Sequence, residues 1–104
     1  MIPSLKKILD FDQTVDWPAL IAAGAQIVDV RSKGEFLAGH IKHSVNIPLN
    51  ELDSNLRKLT KDKPVIICCA SGMRSASAKS ILTASGFEKV YDGGGWMSLQ
   101  QKIS

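Results

Sequence analysis

Residues 63–75 read KPVIICCASGMRS, and the change of character partway along this stretch decides the fold. Residues 63–69 are a short run of Val and Ile behind a proline, without polar alternation, the pattern of a strand covered on both faces. Ala70-Ser71-Gly72-Met73 is a small loop, and an Ala- and Ser-rich helical segment follows over residues 74–85, stopping at Gly86. Its Ala78, Ile81 and Leu82 share one face. The same alternation continues outward. Residues 26–30 (QIVDV) read as a second strand, and residues 44–47 (SVNI) and 88–91 (EKVY) as weaker ones. Helical spacing covers residues 17–23 before Gly24, and residues 33–38, where Ser32 and Glu35 stand at capping-box spacing. It recurs over residues 51–59, with Leu52, Leu56 and Leu59 in one stripe, and over residues 96–102. This order predicts an α/β fold: a small parallel β-sheet flanked by helices on both faces. Ligands of such sheets sit beyond the carboxyl ends of the strands. The strongest strand ends there on Cys69.

Composition narrows the class. At 104 residues the chain suits a single domain, one that buries roughly two-thirds of its unfolded surface without needing disulfides or metals. Hydrophobic residues make up 44% and charged residues 22%, which excludes disordered, collagenous and disulfide-stapled chains. Thirteen Lys and Arg against ten Asp and Glu leave +3, with no basic run, so charge implies no nucleic-acid partner. Cys68 and Cys69 are neighbours and cannot staple distant parts of a fold, which suits a reducing compartment. No apolar run approaches the ~20 residues of a membrane helix, and no secretory signal follows Lys6 and Lys7. A soluble intracellular protein is expected, with no membrane partner.

The loop after the strand has a chemistry of its own. A thiol at a strand end, facing the start of a helix, sees the positive end of the helix dipole and the loop N–H groups, and both favour thiolate over thiol. Gly72 lets the backbone curl so that successive N–H groups converge on an anion. Arg74 adds a permanent charge with a planar fork of donors. Cys69 is thereby an activated sulfur nucleophile beside a small anion site.

These residues resemble the rhodanese family of sulfurtransferases. Cys69, Gly72 and Arg74 match its Cys-x-x-Gly-x-Arg loop. Asp29-Val30-Arg31, Glu35-Phe36, Gly39-His40-Ile41 and Asn46-Ile47-Pro48 match its upstream segments in order. Gly86-Phe87, Val90-Tyr91 and the glycines at 93–95 match its finish. The resemblance implies one rhodanese-like domain over residues 1–104; residues 1–16 precede the matched stretch, and their Leu5, Ile8 and Leu9 suggest a short helix packed on the core. It implies a two-step reaction in which Cys69 takes a sulfane sulfur from a donor such as thiosulfate or a persulfide. The resulting persulfide passes that sulfur to cyanide, a thiol or a protein sulfur carrier. Arg74 would hold an anionic donor, and Ala70, Ser71, Gly72, Met73 and Ser75 would surround the transferred sulfur. No cofactor and no metal are implied, and the expected state is a cytoplasmic monomer. Ala70, Ser71 and Met73 are uncharged where thiosulfate-using relatives often carry basic side chains, so thiosulfate is expected to be a poor donor.

Two rivals stand beside this reading. Phosphatase or arsenate-reductase-type chemistry is one; the related dual-specificity phosphatases use a loop longer by one residue, whereas four residues separate Cys69 from Arg74 here. A non-catalytic docking module is the other, although such modules usually lose the cysteine. Simpler roles are expected elsewhere. Cys68 should point into the packing opposite Cys69. Asp29 and Arg31 should organise the sheet edge, with Arg31 pairing Glu35. His40 belongs to a structural turn and His43 to the surface, and their spacing with adjacent cysteines does not suit zinc. Gly93-Gly94-Gly95 lacks phosphate-loop spacing and reads as a tight turn into the last helix. Trp17 and Trp96 should pack, and Met73 should shape the pocket mouth.

Overall fold

A computed structural model describes residues 15–104; the helix expected around Leu5, Ile8 and Leu9 lies outside them. Helix α1 (Trp17–Ala22) starts at Asp16, whose carboxylate accepts the Ala19 N–H at 3.1 Å, with proline in its first turn. Strand β1 (Gln26–Asp29) follows, then helix α2 (Lys33–Ala38), which carries the expected capping box. The Ser32 hydroxyl accepts the Glu35 N–H, and the Glu35 carboxylate accepts the Ser32 N–H at 2.9 Å. Strand β2 (Val45–Asn46) is short. Strand β3 (Val65–Cys69), helix α3 (Met73–Ala84), strand β4 (Val90–Gly95) and helix α4 (Trp96–Ile103) complete the chain.

The four strands are parallel in the order β2-β1-β3-β4. Alternation along β3 divides the core. Val65, Ile67 and Cys69 face one side with Val28, Val30, Ile47, Ala78 and Leu82 of α3. Ile66 and Cys68 face the other with Ile27, Ile41 and Leu99, beneath Trp17, Leu20 and Trp96 of α1 and α4. Helices therefore cover both faces, as expected of an all-parallel sheet.

Three expectations are corrected. Residues 51–59 are not an α-helix but two 3₁₀ segments, Leu49–Ser54 and Leu56–Lys58, broken at Asn55. The leucines still reach the core, with Leu52 and Leu59 buried and Leu56 packed against it. The glycine triplet is not a turn. Gly93, Gly94 and Gly95 belong to β4, which runs through to the first residue of α4. At Gly93 a Cβ would stand 2.8 Å from Leu99 Cδ2 and 2.9 Å from the Ile67 carbonyl oxygen, so α4 packs where only glycine leaves room. Arg31, finally, does not pair with Glu35. It bonds Asp29 in a buried ion pair at 2.7 Å, donates to the Gly39 carbonyl at 2.6 Å and lies over the Trp96 ring. The shorter side chain two residues away on the same strand face wins over the helix residue.

Candidate active site

Strand β3 ends on Cys69, and the chain turns at once into α3. Gly72, the residue before the helix, has φ +107°, a left-handed conformation that glycine adopts without strain. Glycine has no side chain to cap the helix, and the orphan N–H groups of the first turn need another acceptor. Cys69 Sγ supplies it: the Gly72 N–H donates to the sulfur at 2.8 Å and the Ser75 N–H at 3.4 Å. The thiol sulfur caps the helix that follows it.

Acidity follows from that position. Burial pushes the Cys69 thiol up, and the Ser75 hydroxyl and N–H with the Gly72 and Ser71 amides outweigh it, leaving the thiol more acidic than usual. Cys68 is the reverse. It sits among apolar side chains on the opposite face, and burial, reinforced by the Asp29 carboxylate, pushes it up to about 12.

The hydrogen bonds of the Arg74 side chain go to Glu35. Its guanidinium makes a two-pronged ion pair with Glu35 of α2, at 2.8 and 3.0 Å, with both side chains a little over one-third exposed. Glu35 is held down at about 2, first by Arg74 and then by Ser32. Beside this pair an open cleft of about 560 Å³ runs between the ends of β1 and β2, lined by Val30, Pro48, Leu49, Lys33, Glu51 and Arg74. Met73 is 81% exposed at the start of α3, and Ala70 and Ser71 are also exposed. Asp29 and Arg31 lie on the face of Cys68 and bond each other, so they organise that layer. His40 stacks on Phe36 and bonds its carbonyl oxygen through Nδ1, and His43 is exposed.

Sequence reading missed Asp92. It lies midway along β4, opposite Ile67 of the neighbouring β3, and its Oδ1 accepts both the Ser75 hydroxyl at 2.6 Å and the Gly94 N–H at 2.9 Å. Its signal was an acid just past the strand expected at residues 88–91, obscured by the glycines read as a turn.

Residues 12–102 match the family of the rhodanese-like domain. The chain belongs to that family. Among rhodanese relatives, the thiosulfate sulfurtransferase GlpE of Pseudomonas syringae pv. syringae is 38% identical over 78 residues, 73% of this chain and 74% of that protein. The uncharacterized protein YqhL of Bacillus subtilis is 38% identical over 68 residues, 65% of this chain, which spans about half (54%) of that relative's length. In structure, an E. coli rhodanese solved with anions superposes with a TM-score of 0.68 at 28% identity, over 72% of this chain and 91% of that one. The rhodanese resemblance read from the loop and its upstream segments thus holds across most of the chain. No described helix is long and apolar enough to cross a membrane.

Proposed function

We propose that this chain is a sulfurtransferase whose nucleophile is the Cys69 thiolate. The observation that carries the reading is the sulfur itself: buried at a strand end, accepting loop and helix N–H groups, and more acidic than an ordinary thiol. The thiolate attacks the outer sulfur of a donor. The new S–S bond forms on Cys69 while the donor's bond to that sulfur breaks, its electron pair leaving on sulfite or on a thiolate. An acceptor nucleophile, cyanide or a thiolate, then attacks the outer sulfur and Cys69 leaves as thiolate. Each half-reaction restores the charge balance, and ping-pong kinetics follow from the covalent intermediate.

The Ala70, Ser71 and Gly72 backbone curls around the place where the transferred sulfur would sit, and Met73 flanks its mouth. Ser75 N–H supports Sγ from the helix. Arg74 meets donors as half of an ion pair, since Glu35 neutralises it. A donor of low charge, a persulfide or polysulfide whose organic body occupies the cleft beside Arg74, suits this site better than dianionic thiosulfate. Donor and acceptor are small molecules, with a protein sulfur carrier as a further acceptor. A cytoplasmic monomer fits paired free thiols.

Sulfur transfer to cyanide from thiosulfate and from polysulfide, by the native protein, Cys69→Ser and Cys68→Ser, tests the reading. Turnover should vanish in Cys69→Ser and persist in Cys68→Ser. Absence of turnover from both donors in all three proteins would make a docking module the better account.

A further inference from the structure

Strands β3 and β4 run in step as far as Ile67 and Asp92, and then the register slips. Cys69 stands opposite Gly95, so between these pairs β3 advances two residues and β4 three. The extra residue is a β-bulge, a device that re-aims the chain beside functional sites. Gly94 takes the left-handed turn of the bulge at φ +75°, and Asp92 Oδ1 holds its N–H at 2.9 Å. The same oxygen accepts the Ser75 hydroxyl, which ties the bulge to the first turn of α3. The bulge brings Gly95 against the loop that carries the amides. A Cβ on Gly95 would stand 3.0 Å from the Ala70 carbonyl oxygen and 4.0 Å from Ser71 Cα. Gly95 itself has φ −67° and ψ 140°, extended backbone open to any residue, so what glycine supplies here is room for a second backbone.

We propose that Gly95 is a positioning residue for the nucleophile: its bare Cα lets the Ala70 and Ser71 backbone close onto β4, which sets the Gly72 N–H on Cys69 Sγ. That N–H belongs to the next peptide of the loop and lies 2.8 Å from the sulfur. A side chain at residue 95 lifts the Ala70 carbonyl, and the Gly72 N–H moves with it. A hydrogen bond weakens with distance and angle, so the displaced amide stabilises the thiolate less. An added methyl group leaves the charges around the sulfur as they are. Arg74 of α3 is engaged with Glu35 of α2, and Asp29 and Arg31 of β1 bond each other. Asp92 of β4 is held by Ser75 and Gly94, and Cys68 lies buried on the opposite face. The inference rests on Cys69 being the sulfur nucleophile. Its test needs no sulfur donor, so a silent turnover assay and an unmoved titration are separate results.

The rate of iodoacetamide alkylation of Cys69 is measured against pH in the full chain, the adduct being located by mass spectrometry and stability followed by urea unfolding. In Gly95→Ala the alkylation midpoint should rise by about one-half to one pH unit, as one charge-assisted hydrogen bond is weakened. Gly34→Ala adds the same methyl group where nothing lies within 4 Å, and its midpoint should not move. An unmoved or lowered midpoint in Gly95→Ala overturns the proposal, as does an equal rise in Gly34→Ala. Failure of Gly95→Ala to fold would assign the contact to the scaffold and overturn it too. Substitutions at Gly94 form an independent arm that leaves Gly95 bare. Gly94→Val opposes φ +75° with a branched side chain, whereas Gly94→Asn accepts that conformation. Valine should raise the midpoint at least twice as much as asparagine, because the bulge that brings Gly95 to the loop is lost. Equal shifts in the two, or lower urea stability with neither midpoint moved, would overturn the proposal.

Discussion

Cys68 and Cys69 are adjacent in sequence and opposite in chemistry because a strand sends successive side chains to opposite faces. Cys68 enters an apolar layer with Ile66 and Leu99, where ionisation is costly, while Cys69 meets the amide groups opening α3. This contrast was legible in the sequence, since it needs only the strand, its length and the loop behind it. The hydrogen-bond donors at Sγ stabilise the charged form alone, so the thiolate fraction of Cys69 at a given pH exceeds that of an ordinary thiol near 8.5. With a limiting amount of alkylating agent at pH 7, peptide mapping should therefore find the adduct on Cys69, with Cys68 modified at least tenfold more slowly, about the margin that burial plus a raised pKa gives. Equal labelling would mean that the two thiols share an environment, contrary to the strand geometry.

At the scale of elements, Glu35 joins two helices. It closes the capping box of α2 and grips Arg74 in the first turn of α3. The capping box was readable from Ser32 and Glu35 at i and i+3. The grip on Arg74 was not, because 39 residues separate the partners and only the order of β1 and β3 in the sheet brings them together. The glycine triplet was misread for a related reason: glycine usually weakens a strand, and the approach of Leu99 explains its place in β4. Because Glu35 is held at about 2, its charge is constant across physiological pH. The stabilisation it contributes is fully present above the unfolded carboxyl value of ~4.3 and is lost as pH falls through about 2. Titration near neutrality therefore does not expose its effect on donors; substitution does. Glu35→Gln preserves the capping box and frees the guanidinium charge. With thiosulfate, kcat/KM should rise about three- to tenfold, the effect of one uncompensated charge at a partly exposed site. It should stay nearly constant with an uncharged organic trisulfide, measured in parallel. A fall with thiosulfate would show that Glu35 aligns Arg74 for the anion instead of neutralising it.

At the scale of the whole molecule, the layer behind the sheet is organised around a buried charge pair. Asp29 and Arg31 are almost wholly excluded from water, and Arg31 reaches from β1 to the Gly39 carbonyl and the face of Trp96, so one guanidinium ties the sheet to the end of α2 and to α4. Hydrogen bonding to Asp29 raises Arg31 above its ordinary value despite burial, so the guanidinium stays charged across the working range. Such a pair is expensive to desolvate, and its removal as a unit can be nearly neutral, but loss of one partner strands the other. Asp29→Ala should cost about 3–5 kcal/mol in urea unfolding, as much as emptying the core at Leu82 with Leu82→Ala, about 2–5 kcal/mol. A domain of ordinary stability, about 5–15 kcal/mol, would be left near its limit by either change. The double variant Asp29→Ala/Arg31→Met separates the two causes. If the loss comes from a stranded guanidinium, the second substitution should recover about 1–4 kcal/mol of it. If instead the Asp29 carboxylate matters for its own bond to the Arg31 N–H at the turn into α2, the double variant should be no more stable than the single one. In the first case β1 leads into α2 without the carboxylate, and the pair serves chiefly to seat Arg31 against Trp96; in the second, Asp29 fixes the course of the chain that carries Glu35 to Arg74.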